Sequence, residues 1–111
     1  MILNAKDIPF ETTAHGEGLK KVLLRDSDTP TMLTQFAYGK LSAGENVAEH
    51  IHDTMEEIFY FLAGEGIYKI DGDTLQVSSS TVVRIPAGVP HSLSPSGEEP
   101  LEFIYFGIAT V

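Results

Sequence analysis

The sequence contains no cysteine. Disulfide bonds and thiolate metal ligands are therefore excluded, and a cytoplasmic protein is expected. Basic residues are also scarce, because seven lysines and arginines stand against 16 aspartates and glutamates, which gives a net charge of −9. Such a surface repels phosphate backbones and anionic lipid head groups, so neither nucleic acid nor a membrane is expected as a partner.

Long apolar segments are missing as well. No run reaches the roughly 18 apolar residues of a membrane-spanning helix, and the start MILNAKDIPF lacks the basic and apolar regions of a signal peptide. No stretch longer than about ten residues keeps a 3.6-residue apolar period, so long amphipathic helices are not expected. The 111 residues carry neither repeats nor linkers, and they predict one domain over residues 1–111, with residues 1–19 as an N-terminal arm.

The chain consists instead of short apolar runs separated by turn signals. These runs are rich in Val, Ile, Leu, Phe, Tyr and Thr, as β-strands are. A strong hairpin signal, Asp71-Gly72, separates two of them. Their spacing predicts an all-β sandwich or barrel. The predicted strands cover residues 20–25, 31–39, 47–52, 56–63, 66–70, 74–77, 81–85, 91–94 and 101–109.

Two of the predicted strands are apolar on both faces, namely EIFYFLA at residues 57–63 and FIYFGIA at residues 103–109. One face of an antiparallel sheet usually meets water and is polar. Strands that are apolar on both faces must instead be buried on both faces. If the last strand lies at the edge of a sheet, its unpaired backbone groups would also be prone to pair with another chain. We therefore expect a homodimer, with the alternative that the N-terminal arm folds back over the same surface.

Two of the four histidines, His50 and His52, lie one residue apart just ahead of an apolar run. If residues 47–52 form a strand, both imidazoles project from one face, and Glu57 begins the next strand alongside. Two imidazoles and one carboxylate suit a divalent transition metal and resemble the facial triad of non-haem iron sites. Taken alone, the pair is more typical of two half-exposed strand histidines with acidic neighbours.

A third histidine follows a second turn, in the segment TVVRIPAGVPH at residues 81–91. The strand stops at Pro86, because proline fixes φ and cannot donate a ladder hydrogen bond. The chain then turns and delivers His91 to the start of another strand. The fourth histidine, His15, lies in the polar segment HGEG and is expected to be in a solvated loop.

These segments resemble the two motifs of the cupin family. Glu56 fits the shorter histidine-to-glutamate gap that the first motif allows, but only Glu57 leaves six residues before Gly64. The spacing of the first motif is met by Gly44, His50, His52, Glu57 and Gly64. The second motif is met by Pro86, Gly88 and His91, whereas Ser80 and Pro95 replace its glycine and asparagine.

The resemblance implies an antiparallel jelly-roll β-barrel, also called a double-stranded β-helix. It also implies one divalent transition metal ion (Fe, Mn, Zn or Ni) inside the barrel, with two coordination positions open to water or a small-molecule ligand. Carried over to this chain, the metal ligands are His50, His52, Glu57 and His91.

Further residues are candidates for contacting a substrate. Phe59 and Phe61 share a face with Glu57 and are expected in the barrel interior, although plain core packing explains them as well. Arg84 could meet an anionic substrate or form a surface salt bridge. Four tyrosines could donate a proton or simply pack within strands, namely Tyr38, Tyr60, Tyr68 and Tyr105.

The cupin fold by itself does not define a function. The resemblance is compatible with a metal-dependent enzyme that acts on a sugar or a keto or hydroxy acid by isomerase, lyase or dioxygenase chemistry. The alternatives to this slightly favoured interpretation are a non-catalytic binding module anchored by the metal and a structural protein that the metal stabilises. A DNA-binding helical domain of a regulator does not fit in 111 residues. No residue stands out as the general acid or base, so the sequence leaves catalysis undecided.

Overall fold

The computed structural model describes residues 1–14 and 16–111, so the prediction for His15 lies outside the described residues. The described chain folds into ten β-strands and two short 3-10 helices at Ala5–Asp7 and Asp26–Asp28. None of its helices has both the length and the apolar character needed to cross a membrane. The strands are β1 (Glu11–Thr12), β2 (Leu19–Arg25), β3 (Leu33–Leu41), β4 (Val47–His50), β5 (Met55–Ala63), β6 (Glu65–Ile70), β7 (Asp73–Ser78), β8 (Val82–Ile85), β9 (His91–Pro95) and β10 (Leu101–Ala109).

The strands form two antiparallel sheets. One has six strands in the order β1-β2-β3-β10-β5-β8, and the other has four in the order β4-β9-β6-β7. Strands that are distant in sequence are neighbours in both sheets, as when β10 lies between β3 and β5. This is the arrangement of a jelly-roll barrel, and it confirms the all-β prediction.

The nine predicted strands are all present, with ends that differ from the prediction by two residues or fewer. The predicted strand over residues 47–52 is shorter than expected, because β4 ends at His50. His52 therefore lies beyond the strand, where its carbonyl accepts a hydrogen bond of 2.8 Å from the backbone N–H of Gly88. The two-residue strand β1 is absent from the prediction, since it is too short to show an alternating pattern.

The predicted hairpin is confirmed between β6 and β7. Ile70 pairs with Asp73, which leaves Asp71 and Gly72 as a two-residue turn. Both turn residues have positive φ, 51° for Asp71 and 83° for Gly72. Positive φ at both central positions is the mark of a type I′ turn, whose twist matches that of the flanking strands.

The core lies between the two sheets. In β5 the side chains of Glu57, Phe59 and Phe61 point inward and are buried, whereas Tyr60 and Leu62 point outward and are exposed. The same alternation in the other strands adds the rest of the apolar cluster. Its buried members are Leu41, Phe59, Phe61, Tyr68, Val77, Ile85, Leu93, Leu101 and Phe103.

The outer face of the six-stranded sheet is also apolar, as the doubly apolar strands predicted. Phe36 and Phe106 meet edge-on there, with ring centroids 6.5 Å apart, and both are half-buried. The segment before β2 covers part of this face, because the Phe10 ring lies 6.2 Å from that of Tyr38. Tyr60, on the same face, remains 41% exposed.

Candidate metal centre

The four predicted metal ligands come together between the two sheets. One nitrogen or oxygen atom from each of His50, His52, Glu57 and His91 lies within 4.8 Å of those from the other three. The Glu57 carboxylate lies close to two of the imidazoles, with its Oε1 3.2 Å from His52 Nε2 and 3.3 Å from His91 Nε2. Ligand atoms that share one ion at about 2.1 Å are separated by roughly 3.0–3.4 Å, so the spacing suits a bound cation.

The strand pairing explains why these side chains meet. His50, at the end of β4, is the direct partner of His91, at the start of β9, and their ring centroids are 4.2 Å apart. Glu57 comes from β5 in the other sheet. His52 reaches the cluster from the loop after β4, which the hydrogen bond to Gly88 joins to the turn before β9. The cluster therefore spans both sheets.

Backbone carbonyls fix the orientation of two of the imidazole rings. The Nδ1 atom of His50 lies 2.8 Å from the Ala48 carbonyl, and that of His91 lies 2.8 Å from the Val89 carbonyl. A carbonyl can only accept, so in each neutral ring Nδ1 carries the hydrogen and Nε2 carries the lone pair. Metal-binding histidines are commonly held in this way, with the other nitrogen free to coordinate.

One buried nitrogen atom is suited to binding positive charge. His91 Nε2 is buried and has no hydrogen-bond partner among the described residues. Its neighbour Glu57 Oε1, at 3.3 Å, is also an acceptor when the imidazole is neutral. Two acceptors facing each other without water are unfavourable, and a metal ion bound to both removes the conflict. The residues present thus fit a metal ion.

A proton on His91 Nε2 would relieve the same conflict. Burial lowers the pKa of His91, but the adjacent Glu57 carboxylate, the hydrogen bond to the Val89 carbonyl and the charge of Glu49 raise it. The raising effects are the larger, so the pKa of His91 lies above its ordinary value. The site therefore attracts positive charge in the form of either a proton or a metal ion.

The cluster lines a cavity of about 180 Å³. The cavity walls are mostly apolar, with Leu41, Phe59, Leu93 and Phe103 among them. The polar residues that line it besides the cluster are Thr13, Lys20, Gln35, Lys40, Tyr68, Ser92 and Tyr105. An apolar pocket with a few convergent polar groups is typical of a small-molecule site.

The predicted substrate-contacting residues fall in different places. Phe59 lines the cavity, where its ring stacks on that of Tyr105 with centroids 5.0 Å apart. Phe61 is fully buried in the core and is not among the residues that line the cavity.

Tyr38 and Arg84 lie on the outer face of the six-stranded sheet. Tyr38 donates a hydrogen bond to Glu102 on the neighbouring strand. Arg84 bonds Glu56 through both Nε and Nη2, at 3.2 and 2.9 Å, as the salt-bridge alternative predicted. Neither residue lines the cavity, so neither enters the site proposed below.

Sequence reasoning overlooked Lys20 and Gln35, which line the cavity from β2 and β3. The segment KKVLLR holds two adjacent lysines, and its alternation does not tell which of them faces inward. The strand pairing settles the matter, because Lys20 is opposite the inward-facing Gly39, whereas Lys21 is opposite Tyr38.

Comparison with known proteins places this site in context. The family model for the Cupin domain matches residues 37–107, which include all four residues of the cluster. The solved structure of a predicted oxalate decarboxylase from Thermotoga maritima superposes with a TM-score of 0.91 at 28% identity, and it covers 98% of this chain and 99% of that one.

Curated relatives match smaller parts. A Thermotoga maritima protein named oxalate-binding protein is 35% identical over 69 residues, which are 62% of this chain and 57% of the relative. A Streptomyces cyaneus protein named polyketide synthase CurC is 27% identical over 90 residues, covering 73% of this chain and 58% of the relative. The chain spans between 49% and 58% of the length of the three curated relatives that it matches.

Proposed function

The chain belongs to the cupin family, and from that premise we propose that residues 1–111 form one domain that binds a divalent transition metal ion and, through it, a small oxygenated acid. The metal ligands in this proposal are His50, His52, Glu57 and His91, and the ion is Fe, Mn, Zn or Ni. The observation that carries it is the buried lone pair of His91 Nε2, which faces the Glu57 carboxylate at 3.3 Å.

The ligand set determines the chemistry that such an ion can supply. Three neutral imidazoles and one carboxylate leave a divalent ion with one formal positive charge, and an octahedral ion keeps two positions open. When bound, the ion polarises a carbonyl or carboxylate oxygen and stabilises an enolate or oxyanion. The protein orients the ligand and excludes water with the apolar walls that include Phe59 and Phe103.

Acids are favoured over sugars as ligands. A curated relative from Thermotoga maritima is named for binding oxalate, and a similar solved structure from the same organism is named as a predicted oxalate decarboxylase. A cavity of about 180 Å³ suits a molecule of that class. We therefore propose lyase, isomerase or dioxygenase chemistry on a keto or hydroxy acid. The second candidate is a non-catalytic module that binds such an acid, as the name of the oxalate-binding relative suggests.

Turnover assays on the protein loaded with its native metal test this proposal. We expect the protein to consume a small keto or hydroxy acid. Proton NMR measures the loss of the acid, in air and under nitrogen. Oxygen uptake would identify a dioxygenase, turnover under nitrogen would identify a lyase or isomerase, and binding without turnover would identify the module. Protein that holds a metal but neither binds nor converts any acid would contradict the proposed function.

We also propose a homodimer, in the cytoplasm, in which the outer face of the six-stranded sheet is the contact surface. The exposed apolar side chains of Tyr60 and Leu62 support it, at 41% and 42%. Among the described residues, Phe10 of the segment before β2 contacts this face at Tyr38 and Lys21.

A further inference from the structure

Two lysines of this acidic chain, Lys20 and Lys40, line the cavity, and the strand register directs Lys20 into it. Lys20 is paired with Gly39, and the next inward residue of its strand, Val22, is paired with Ala37. Val22 and Ala37 are buried at 8% and 0% exposure, so this face of β2 and β3 is the interior. The Lys20 side chain therefore lies on the cavity wall rather than on the outer surface.

Lys20, Gln35 and Tyr105 form a short row of polar side chains along that wall. The Nζ atom of Lys20 donates to Gln35 Oε1 at 3.1 Å. Gln35 and Tyr105 both line the cavity with Lys20. Because the Gln35 amide oxygen already accepts from Lys20, the amide N–H group is the part of Gln35 that remains to donate.

In the described part of the chain Lys20 forms no direct ion pair, since Glu11, its cross-strand partner on β1, is bonded to Arg25. Both arginines are paired, Arg25 with Glu11 and Arg84 with Glu56. Among the described residues Lys20 makes no ion pair, and its hydrogen-bond partner is a neutral amide. An ammonium group has three N–H donors, so two remain for a ligand. An ammonium group on the cavity wall that forms no direct ion pair favours an anionic ligand.

The strand register gives the position of these polar side chains relative to the candidate metal centre. Gln35 is paired with Gly107, and Gly107 is paired with Glu57, so the three residues form one row across β3, β10 and β5. Two strand spacings separate Gln35 from Glu57, about 10 Å between backbones. Tyr105 lies two residues before Gly107, on the same face of β10, and it lines the same cavity.

We propose that Lys20, Gln35 and Tyr105 form an anion subsite that binds one carboxylate of the ligand while another oxygen group of that ligand reaches the metal centre. This inference rests on the proposed function, because it assigns the ligand class of the same cavity. The ligand is a small acid in which a short carbon chain separates the carboxylate from a second oxygen-bearing group. Lys20 and Tyr105 contact the ligand, and Gln35 positions them.

Calorimetric titration of the Zn-loaded protein with succinate, and with its neutral diamide, tests the subsite. Lys20→Met should weaken succinate binding about tenfold or more, as expected for loss of a charge-assisted hydrogen bond, and should leave diamide binding unchanged. The matched control is Lys69→Met, which removes the same charge from the exposed side of β6. That control should bind succinate as the parent protein does.

A second variant keeps the test independent of any effect of Lys20 on folding. Tyr105→Phe removes only the hydroxyl and preserves the ring stacked on Phe59, and it should also weaken succinate binding severalfold. Equal succinate affinity in the parent, Lys20→Met and Tyr105→Phe proteins would overturn the subsite, as would equal losses in Lys20→Met and Lys69→Met, or no binding of succinate at all.

Metal content separates this inference from the proposed function. All three variants should hold as much zinc as the parent, because none of them changes a candidate metal ligand. Failure of the parent to hold zinc would contradict the proposed metal centre. The subsite would then be judged from succinate binding by the metal-free protein, with the same ranking of the variants expected.

Discussion

At the scale of single residues, the site depends on which way each side chain points. Glu56 and Glu57 are neighbours on β5, and the alternation of the strand sends them to opposite faces. Glu57 lies among the three histidines, whereas Glu56 is bonded to Arg84 on the outer face. The motif spacing had already indicated Glu57 rather than Glu56. A shift of one residue along the strand therefore separates a candidate metal ligand from a residue in a surface salt bridge.

Tyrosine ionisation gives a prediction at the same scale. Burial raises the pKa values of Tyr38, Tyr68 and Tyr105, with Glu102 adding to the shift of Tyr38 and Glu57 to those of Tyr68 and Tyr105. A pKa raised by folding stabilises the folded state below the ordinary value of about 10, and this stabilisation is lost as the pH rises through the folded value.

The melting temperature of the protein should therefore fall above about pH 10. In a phenolate absorbance titration, these three tyrosines should ionise later in the folded protein than in protein unfolded by guanidinium. Identical titration curves for the folded and unfolded protein would show that the environments of these hydroxyls are wrongly described.

At the scale of strands and turns, the backbone explains one departure from the cupin motif. Ser80 stands where the motif has glycine, and it adopts a φ of 72° between β7 and β8. An L-residue in this left-handed region costs roughly 1–2 kcal/mol, whereas glycine adopts it freely. The turn is kept because the Ser80 N–H donates to the Phe61 carbonyl at 2.8 Å.

Ser80→Gly should raise the free energy of unfolding by up to about 1 kcal/mol, since relief of strain exceeds the added entropy of the unfolded chain. Urea denaturation measures the change. The control is Gly72→Ala, at a φ of 83° with open space around the new methyl group, which should lower the free energy of unfolding by about 1 kcal/mol. A destabilised Ser80→Gly protein would contradict this account of the turn.

The sequence predicted most strands and the four-residue cluster because both leave local patterns. Strands alternate in polarity and end at turn residues, and His50, His52, Glu57 and His91 keep a fixed spacing near strand ends. The anion subsite leaves no such pattern. Whether Lys20 or Lys21 faces the cavity depends on how β2 pairs with β3, and an irregularity between Val22 and Leu24 shifts that register. Long-range pairing of this kind is not visible in one sequence.

At the scale of the whole molecule, the two sheets have different outer surfaces. The six-stranded sheet carries apolar side chains on its outer face as well as on its inner face, and Tyr60 stands opposite Ile104 on that outer face. Burial of such a face against a second copy would remove apolar surface from water in two proteins at once. The net charge of −9 opposes association at low salt, so the contact has to be mainly apolar.

Light scattering after size-exclusion chromatography should show a dimer for the parent protein. Tyr60→Glu should give a folded monomer, because it puts charges into the middle of the proposed contact. Leu75→Glu is the matched control, since Leu75 is 47% exposed on β7 of the other sheet, and it should leave the dimer intact. A monomeric parent protein, or equal dissociation of both variants, would contradict the proposed interface.

The metal content of the purified chain tests the central claim most directly. Elemental analysis should find about one divalent transition metal ion per chain in the parent protein and in Glu56→Gln, whose substitution lies on the outer face. Glu57→Gln and His52→Ala should lower the occupancy sharply, because each removes one of the four ligands. A parent protein that holds no ion after loading, or full occupancy in Glu57→Gln and His52→Ala, would contradict a metal centre at this site.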